Sequence, residues 1–228
     1  MQVPRADISS HKPTIIVQSI ADQVYNFVRR NILIGELAPL SPIRQDIIAA
    51  QLGVSKIPLR EALAKLEHDG LVQSSPNKGF FVRPISAAEA REVFLLRLKL
   101  EPDATVEGSL AATKKDQEDA KQALLELEAV QSQVGNPEHV RYNRKFHIAL
   151  MSPSMGQITY HIINQISILA ERYVRLHIEP YGREKHAIQA HRELFEAWLE
   201  KDTKLLRKLT KEHLQSTLHD LEEELKHQ

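Results

Sequence analysis

Histidines are the side chains of this sequence whose type and spacing best suit metal chemistry. The 228 residues contain 11 histidines, and most of them follow residue 138. Asn143 and His147 lie four residues apart, on one face of a helix, while His191 and His213 lie in two other segments of helical periodicity. Each has apolar neighbours at helical spacing, so its polar ring needs a partner. Imidazoles that converge inside a bundle would hold a divalent transition metal; the alternative is that each makes one ordinary hydrogen bond.

Basic residues near the start of a short predicted helix form a second candidate site. The segment GVSKIPLREAL (53–63) puts a glycine turn before Ser55, with Lys56 and Arg60 four residues apart on one face. In a helix-turn-helix the N-terminal residues of the second helix enter the major groove, where lysine and arginine suit phosphates and guanine edges. The residues expected at DNA are Arg44, Ser55, Lys56, Pro58, Arg60, Lys78 and Gly79. The alternative is a small domain with solvated charges that binds a protein.

The elements around this segment predict a winged helix-turn-helix over residues 14–84. Apolar periodicity and glycine or proline breaks indicate three helices, and two β-type runs are joined by strong turn formers. The predicted helices run from Val17 to Gly35, from Ile43 to Leu52 and from the N-cap Ser55 to about Asp69; the predicted strands are Leu71–Ser74 and Phe80–Arg83. Residues 1–13 contain two prolines and no periodicity, which indicates a flexible arm.

The remaining residues, 85–228, predict an all-α bundle. Six amphipathic segments are separated by Asn-Pro, Ser-Pro, Pro-Tyr-Gly and Asp breaks, with no strand signal between them. The predicted helices lie near Ala87–Ala112, Lys114–Val134, Pro137–Met151, Gln157–Ile178, Glu184–Lys201 and Thr203–Lys226. The fold class expected for the whole chain is therefore mainly α.

Composition limits the possible settings of the protein. The chain has no cysteine and no net charge, which excludes disulfides and thiolate metal sites and leaves any nucleic-acid contact to the placement of cations. Residues 14–84 hold eight Lys and Arg and six acids, a balance of +2. No apolar run suits a membrane span and the start lacks a signal-peptide core, so we expect a cytoplasmic protein.

The first 84 residues resemble a known family. GVSKIPLREALAKLEHDGLV followed by NKGFFV is similar to the DNA-binding domain of the GntR superfamily. The resemblance implies DNA contacts at the positions of Arg44 or Asp46, Lys56 and Arg60, with Gly79 as the wing glycine. Lys56 stands where arginine is usual, which loses the bidentate fork to guanine. Asp46 replaces an arginine that contacts DNA in some relatives, so Arg44 would take that role.

The C-terminal segments LRLKLEPDA, NRKFHIAL and HRELFEAWLEKD leading to KEHL resemble the FCD domain of FadR-type GntR regulators, in the six-helix arrangement of the VanR group. That resemblance implies a metal held by one Asp or Asn and three histidines, positions that Asn143, His147, His191 and His213 match. Asn143 in place of the commoner aspartate removes a negative charge and weakens the site. Neutral nitrogen and amide ligands favour zinc or nickel over manganese.

The FCD resemblance also indicates an effector pocket. Arg97, with Glu101 one turn later, matches a position that lines this pocket in FCD domains. A buried guanidinium there would hold a carboxylate through charge-assisted hydrogen bonds. The alternative is a surface Arg97–Glu101 ion pair that contributes little to stability. Arg172, Tyr173 and Arg175 are further candidates for contact with the effector.

Together these features predict a regulator rather than an enzyme. We expect a homodimer on a palindromic operator in double-stranded DNA, acting as repressor or activator, with a small carboxylate metabolite bound at the metal. In one alternative the metal is structural or is itself the signal. A metal-dependent hydrolase is a weaker alternative, because no carboxylate stands in a convincing position for a general base.

Overall fold

The computed structural model describes residues 18–131, 136, 138–178 and 183–225, with backbone alone at 131, 175–178 and 183–185. The predicted arm, residues 1–13, and the side chain of Arg175 lie outside this description. Within it the chain is mainly α, as predicted, with one two-stranded sheet. No described helix combines the length and apolar character needed to cross a membrane.

The N-terminal part is a winged helix-turn-helix. Its elements are α1 (Ile20–Leu33), α2 (Gln45–Leu52), α3 (Lys56–His68), β1 (Val72–Ser75) and β2 (Gly79–Val82). The strands pair antiparallel with Val72 opposite Val82. Gly53 ends α2 in the left-handed conformation, at φ 65°, which turns the chain toward α3. Leucines of α3 and valines of α1 and the strands fill a common core.

Several bounds in this domain differ from the sequence prediction: α1 begins at Ile20 rather than Val17, and each strand is displaced by one residue. The second helix begins at Gln45 rather than Ile43, because the Ile43 N–H donates to the Phe80 carbonyl at 2.8 Å and Pro42 bridges to Phe81. Pro42 and Ile43 therefore pair with the edge of the hairpin before α2 begins. Ser55 stands at the N-cap of α3, as predicted, but its side chain makes no capping hydrogen bond.

The described residues of the C-terminal part form a bundle of six α-helices with a short 3₁₀ turn. They are α4 (Ala87–Ala111), α5 (Lys114–Gln131), α6 (His139–Met151), the turn Ser152–Ser154, α7 (Gln157–Ile178), α8 (Arg183–Glu200) and α9 (Thr203–Leu225). The long helix α4 packs against α6, α7, α8 and α9. It begins at a true cap, since the Ser86 hydroxyl accepts from the Glu89 N–H.

A close approach joins α4 to α6 and α8. A Cβ on Gly108 would lie 2.1 Å from the Leu150 carbonyl oxygen, so only glycine fits there. That carbonyl also accepts a hydrogen bond from the indole of Trp198 at 2.9 Å, and the Ser109 hydroxyl donates to the Trp198 carbonyl at 2.7 Å. The spacing of these three helices is therefore fixed at one end of the bundle.

The two parts share buried contacts across their junction. Leu33 of α1 packs in a core cluster of the bundle, and Ile168 of α7 packs in the core of the winged helix. Between them the carboxylate of Glu171 forms ion pairs with Arg29 of α1 and Arg144 of α6, the latter at 2.8 Å. Burial lowers the pKa of Arg29 to about 10, which leaves it charged at neutral pH.

Removal of the Glu171 charge is expected to destabilise the whole chain. Glu171→Gln leaves two desolvated guanidinium groups without a counter-charge, which costs about 3–5 kcal/mol in the free energy of unfolding. Urea denaturation measures the loss. The matched control is Glu222→Gln, which breaks a surface pair with Arg91 at 2.6 Å and should cost less than about 1 kcal/mol. Equal losses in the two variants would contradict a structural role for Glu171.

Candidate functional site

Three histidines converge inside the bundle. His147 of α6, His191 of α8 and His213 of α9 bring one ligand nitrogen each to within 4.8 Å of one another. Their ring centroids lie 4.8–5.3 Å apart. The amide of Asn143, one turn before His147, lines a small cavity together with His191 and His213. The four residues predicted as metal ligands therefore lie together.

Burial leaves His147 and His191 neutral and poorly satisfied. His191 is 1% exposed, and neither of its ring nitrogens, nor Nε2 of His147, has a hydrogen-bond partner among the described residues. Desolvation, reinforced by the neighbouring histidines, holds the pKa of His147 and of His191 well below 6.5. Neutral imidazole is the form that binds metals.

The cavity between these side chains suits a single ion. Its volume is about 20 Å³, close to the space that one water molecule needs and far below the volume of a metabolite. Its lining consists of Arg97, Asn143, Val174, Ala187, His191, His213 and Thr217. Orphaned imidazole nitrogens and an amide around such a space fit the donor set of a zinc or nickel ion.

Arg97 lies beside the histidines, but its guanidinium already has a partner. Arg97 donates from Nε and from one terminal nitrogen to the two oxygens of Glu101, at 2.6 and 3.2 Å. Both side chains are buried, so the alternative of a surface ion pair between them is wrong. A carboxylate ligand would have to compete with Glu101 or share the guanidinium with it.

Arg172 and Tyr173 lie at the junction of the two parts and do not line the histidine cavity. Arg172 donates to the carbonyls of Arg83 and Pro84, at 2.6 and 3.1 Å, where the hairpin leads into the bundle. The Tyr173 hydroxyl donates to Glu89 at 3.1 Å. Burial and that carboxylate raise the pKa of Tyr173 to about 12, so its hydroxyl stays a donor. The third candidate, Arg175, is outside the described side chains.

A second cavity, which the sequence did not indicate, adjoins the first. It has a volume of about 420 Å³ and lies along α8 and α9. Ala187, His213 and Thr217 line both cavities, so one wall separates them. Small residues such as Ala190 and Ser216 lie among its larger lining side chains, and the packing of α8 against α9 could not be read from spacing within either helix.

The residues expected at DNA share one end of the winged helix. Ser55, Lys56 and Arg60 are exposed on the first turns of α3, Arg44 is exposed at the start of α2, and Lys78 is exposed at the hairpin turn. Pro58 is partly buried, and Gly79 adopts a φ of 89° in the turn. A Cβ built on Gly79 would lie 4.0 Å from the Gln45 side chain, which places the wing tip near α2. Lys56 also contacts Asp46, a partner that the spacing of residues along the sequence does not reveal.

Comparison with protein families agrees with this architecture. Residues 20–82 match the gntR family of bacterial regulatory proteins, and residues 92–216 match the FCD domain. The second match covers more than half of the chain. The chain belongs to the GntR family of regulators with an FCD domain. Its relatives are transcriptional regulators and not enzymes.

Individual relatives of this FCD regulator are distant but extend over most of the chain. It is 27% identical to the HTH-type regulator YdhC of Bacillus subtilis over 209 residues, 90% of each chain. It is 23% identical to the transcriptional repressor RspR of Escherichia coli over 87% of each. The structure of E. coli McbR/YncC superposes with a TM-score of 0.78 at 24% identity, covering 92% of this chain and all of that one; this likeness supports the fold alone.

The metal-free FCD regulator should lose stability as the pH falls below 6.5. Unfolded histidines take up protons near that pH, whereas buried His147 and His191 resist protonation to a much lower pH. The free energy of unfolding should therefore fall by up to about 1.4 kcal/mol per pH unit for each histidine. Urea titrations in chelator between about pH 7 and pH 5 measure this slope, and His191→Gln should reduce it. A flat wild-type profile would contradict the burial of neutral rings.

Proposed function

We propose that this regulator binds a palindromic operator as a homodimer and that a small carboxylate, bound at a divalent metal in the histidine cavity, controls its affinity for DNA. The observation that carries the proposal is the set of buried imidazole nitrogens without partners. Such groups are costly in a protein interior unless a hydrogen bond or a metal satisfies them. In their neutral state they are ready to accept a metal ion.

Asn143, His147, His191 and His213 would hold the ion. A bound zinc or nickel ion supplies a Lewis-acidic position to which an acidic ligand can bind. The chain's own contribution is to bring imidazole nitrogens from three helices to within 4.8 Å of one another, beside a cavity of about 20 Å³. The amide of Asn143 adds no negative charge, so the site relies on its nitrogen ligands and favours zinc or nickel over manganese.

A small carboxylate is the proposed effector. The cavity at the histidines is too small for a metabolite, and Arg97 is paired with Glu101. Binding would therefore proceed from the larger cavity along α8 and α9, with displacement of the wall at Ala187 and Thr217. A carboxylate that reaches the metal would also draw Arg97 away from Glu101, which connects the ligand to α4.

The small volume also favours a second candidate, in which the metal alone is structural or is the signal. A cavity of about 20 Å³ accepts an ion without any movement of the helices. The two candidates differ in one observation: DNA affinity changes with metal alone in this case, and only with metal and carboxylate together in the first.

Helix α6 provides a route from the histidine cavity to the DNA-binding part. Asn143 and His147 flank Arg144 along this helix, and Arg144 pairs with Glu171, which pairs with Arg29 of α1. A displacement of α6 on ligation would therefore move buried charges that cannot separate cheaply. The orientation of α1, and with it α3, would follow.

Exposed apolar side chains support the homodimer of the FadR-type arrangement. On α4, Leu95, Leu96 and Leu100 are exposed, as are Ile158 and Ile162 at the start of α7. Rows of exposed large apolar side chains on neighbouring helices are typical of an interface. We propose that a second copy of the chain covers these faces and sets the spacing of the two winged helices on DNA.

The purified protein is expected to contain stoichiometric zinc or nickel. His191→Ala removes a ligand from the core of the site and should abolish metal retention, as measured by elemental mass spectrometry after dialysis. The matched control is Gln189→Ala on the same helix, where the side chain bonds Glu193 at the surface. Asn143→Asp should raise zinc affinity in calorimetry, since it adds a negative charge to the donor set. A metal-free wild type that also fails to bind added zinc would reject the metal site.

Arg60→Ala should weaken binding to the selected operator without loss of folding. Arg60 is exposed on the second turn of α3, where arginine contacts guanine or phosphate. If Arg60 contacts a phosphate, the slope of the logarithm of affinity against the logarithm of salt concentration should fall by about one in the variant. If it contacts guanine, binding should lose about 1–3 kcal/mol. The control is Lys65→Ala further along α3. Fluorescence anisotropy on an operator selected from random DNA measures both, and unchanged affinity of Arg60→Ala would contradict its role.

A further inference from the structure

The tips of α2 and α3 carry an ion pair that the proposed function does not use. Lys56 Nζ lies 2.6 Å from Asp46 Oδ1, and the two side chains are 56% and 81% exposed. A carboxylate on a surface that approaches DNA lowers affinity, because the phosphate backbone repels it. Asp46 would be favourable there only through a contact with something other than phosphate, and base edges offer such a contact.

A lysine and an aspartate held side by side match the major-groove edge of a G·C pair. Guanine presents the acceptors N7 and O6 there, and cytosine presents its N4 amino group as a donor. O6 and N4 bond to each other across the pair and therefore lie about 2.9 Å apart. This is close to the 2.6 Å between Lys56 Nζ and Asp46 Oδ1. The ammonium can donate to guanine while the carboxylate accepts from the paired cytosine.

An exposed apolar residue stands next to this pair. Ile57 follows Lys56 on the first turn of α3 and is 70% exposed. In the major groove an apolar side chain contacts the methyl group of thymine, which no other base carries. A residue adjacent to Lys56 would contact the base step next to the one that Lys56 contacts.

We propose that Asp46 and Lys56 together read one G·C pair in each half-site and that Ile57 reads a neighbouring thymine. This inference rests on the proposed insertion of α3 into the major groove and goes beyond it by assigning base identities. Asp46 is a specificity-determining residue in this arrangement. It orients the lysine, which lacks the planar fork of arginine, and it selects cytosine on the opposite strand.

The test is selection from a pool of random duplex DNA with the full-length protein and its variants. The wild type should select a motif with a G·C pair beside a thymine in each half-site. Asp46→Ala should lower discrimination at the G·C pair by about tenfold while affinity for random DNA rises, because a negative charge is lost. Asp46→Asn should shift the preference from cytosine toward adenine, which asparagine binds through N6 and N7. Ile57→Ser should lose only the preference for thymine.

The matched control is Asp22→Ala. Asp22 forms an exposed pair with Lys65 at the same 2.6 Å, but Lys65 lies about 13 Å further along α3 than Lys56. This variant changes the net charge equally and should keep the wild-type motif. Thermal melting confirms that each variant is folded.

Two results would overturn the proposal, and they have different meanings. If Asp46→Ala keeps the wild-type motif while Arg60→Ala weakens binding, α3 reads DNA without Asp46, and only this inference fails. If the folded wild type selects no motif at all, sequence reading by α3 fails, and the proposed function fails with it.

Discussion

The buried carboxylate of Glu171 is the constraint on which the relation between the two halves of this protein depends. It compensates two desolvated guanidinium groups, one from the helix that begins the winged helix and one from the helix that carries Asn143 and His147. Charges removed from water in this way are held far more tightly than surface pairs. Leu33 of the winged helix packs in the core of the bundle, and Ile168 of the bundle packs in the core of the winged helix. The junction is therefore held by both ion pairs and apolar packing.

This junction explains why polar residues inside the bundle can matter for DNA. The histidines occupy three helices, and among the described residues of these helices it is Arg144 of α6 that belongs to the ion network at the junction. A metal or ligand that binds the histidine nitrogens contacts α6 directly through His147. Arg144 on the same helix contacts Glu171. A change at the rings is therefore coupled to the DNA-binding part by contiguous contacts, each of which is energetically costly to break.

Most of the fold could be predicted from sequence, because long periodic helices separated by proline and glycine breaks are strong local signals. The histidine set could also be anticipated, since spacing and apolar neighbours pointed each ring inward, and the family resemblance selected among 11 histidines. Contacts between residues far apart in the sequence could not be predicted. Glu171 pairs with Arg29 from 142 positions earlier, Arg172 bonds the end of the hairpin, and no periodicity within α7 announces either role. The start of α2 was misplaced for a similar reason: Ile43 bonds to a strand that comes later in the chain.

The close approach at Gly108 has a consequence for how such regulators can diverge. Because a backbone carbonyl occupies the space of any side chain there, α4 and α6 form a seam that cannot widen, and the indole of Trp198 bonds that same carbonyl. Between α8 and α9 lies open space of about 420 Å³, lined by alanine, serine and threonine together with larger side chains such as Leu209 and Glu212. Changes in ligand preference during evolution should therefore accumulate along α8 and α9, while the spacing between α4 and α6 stays constant.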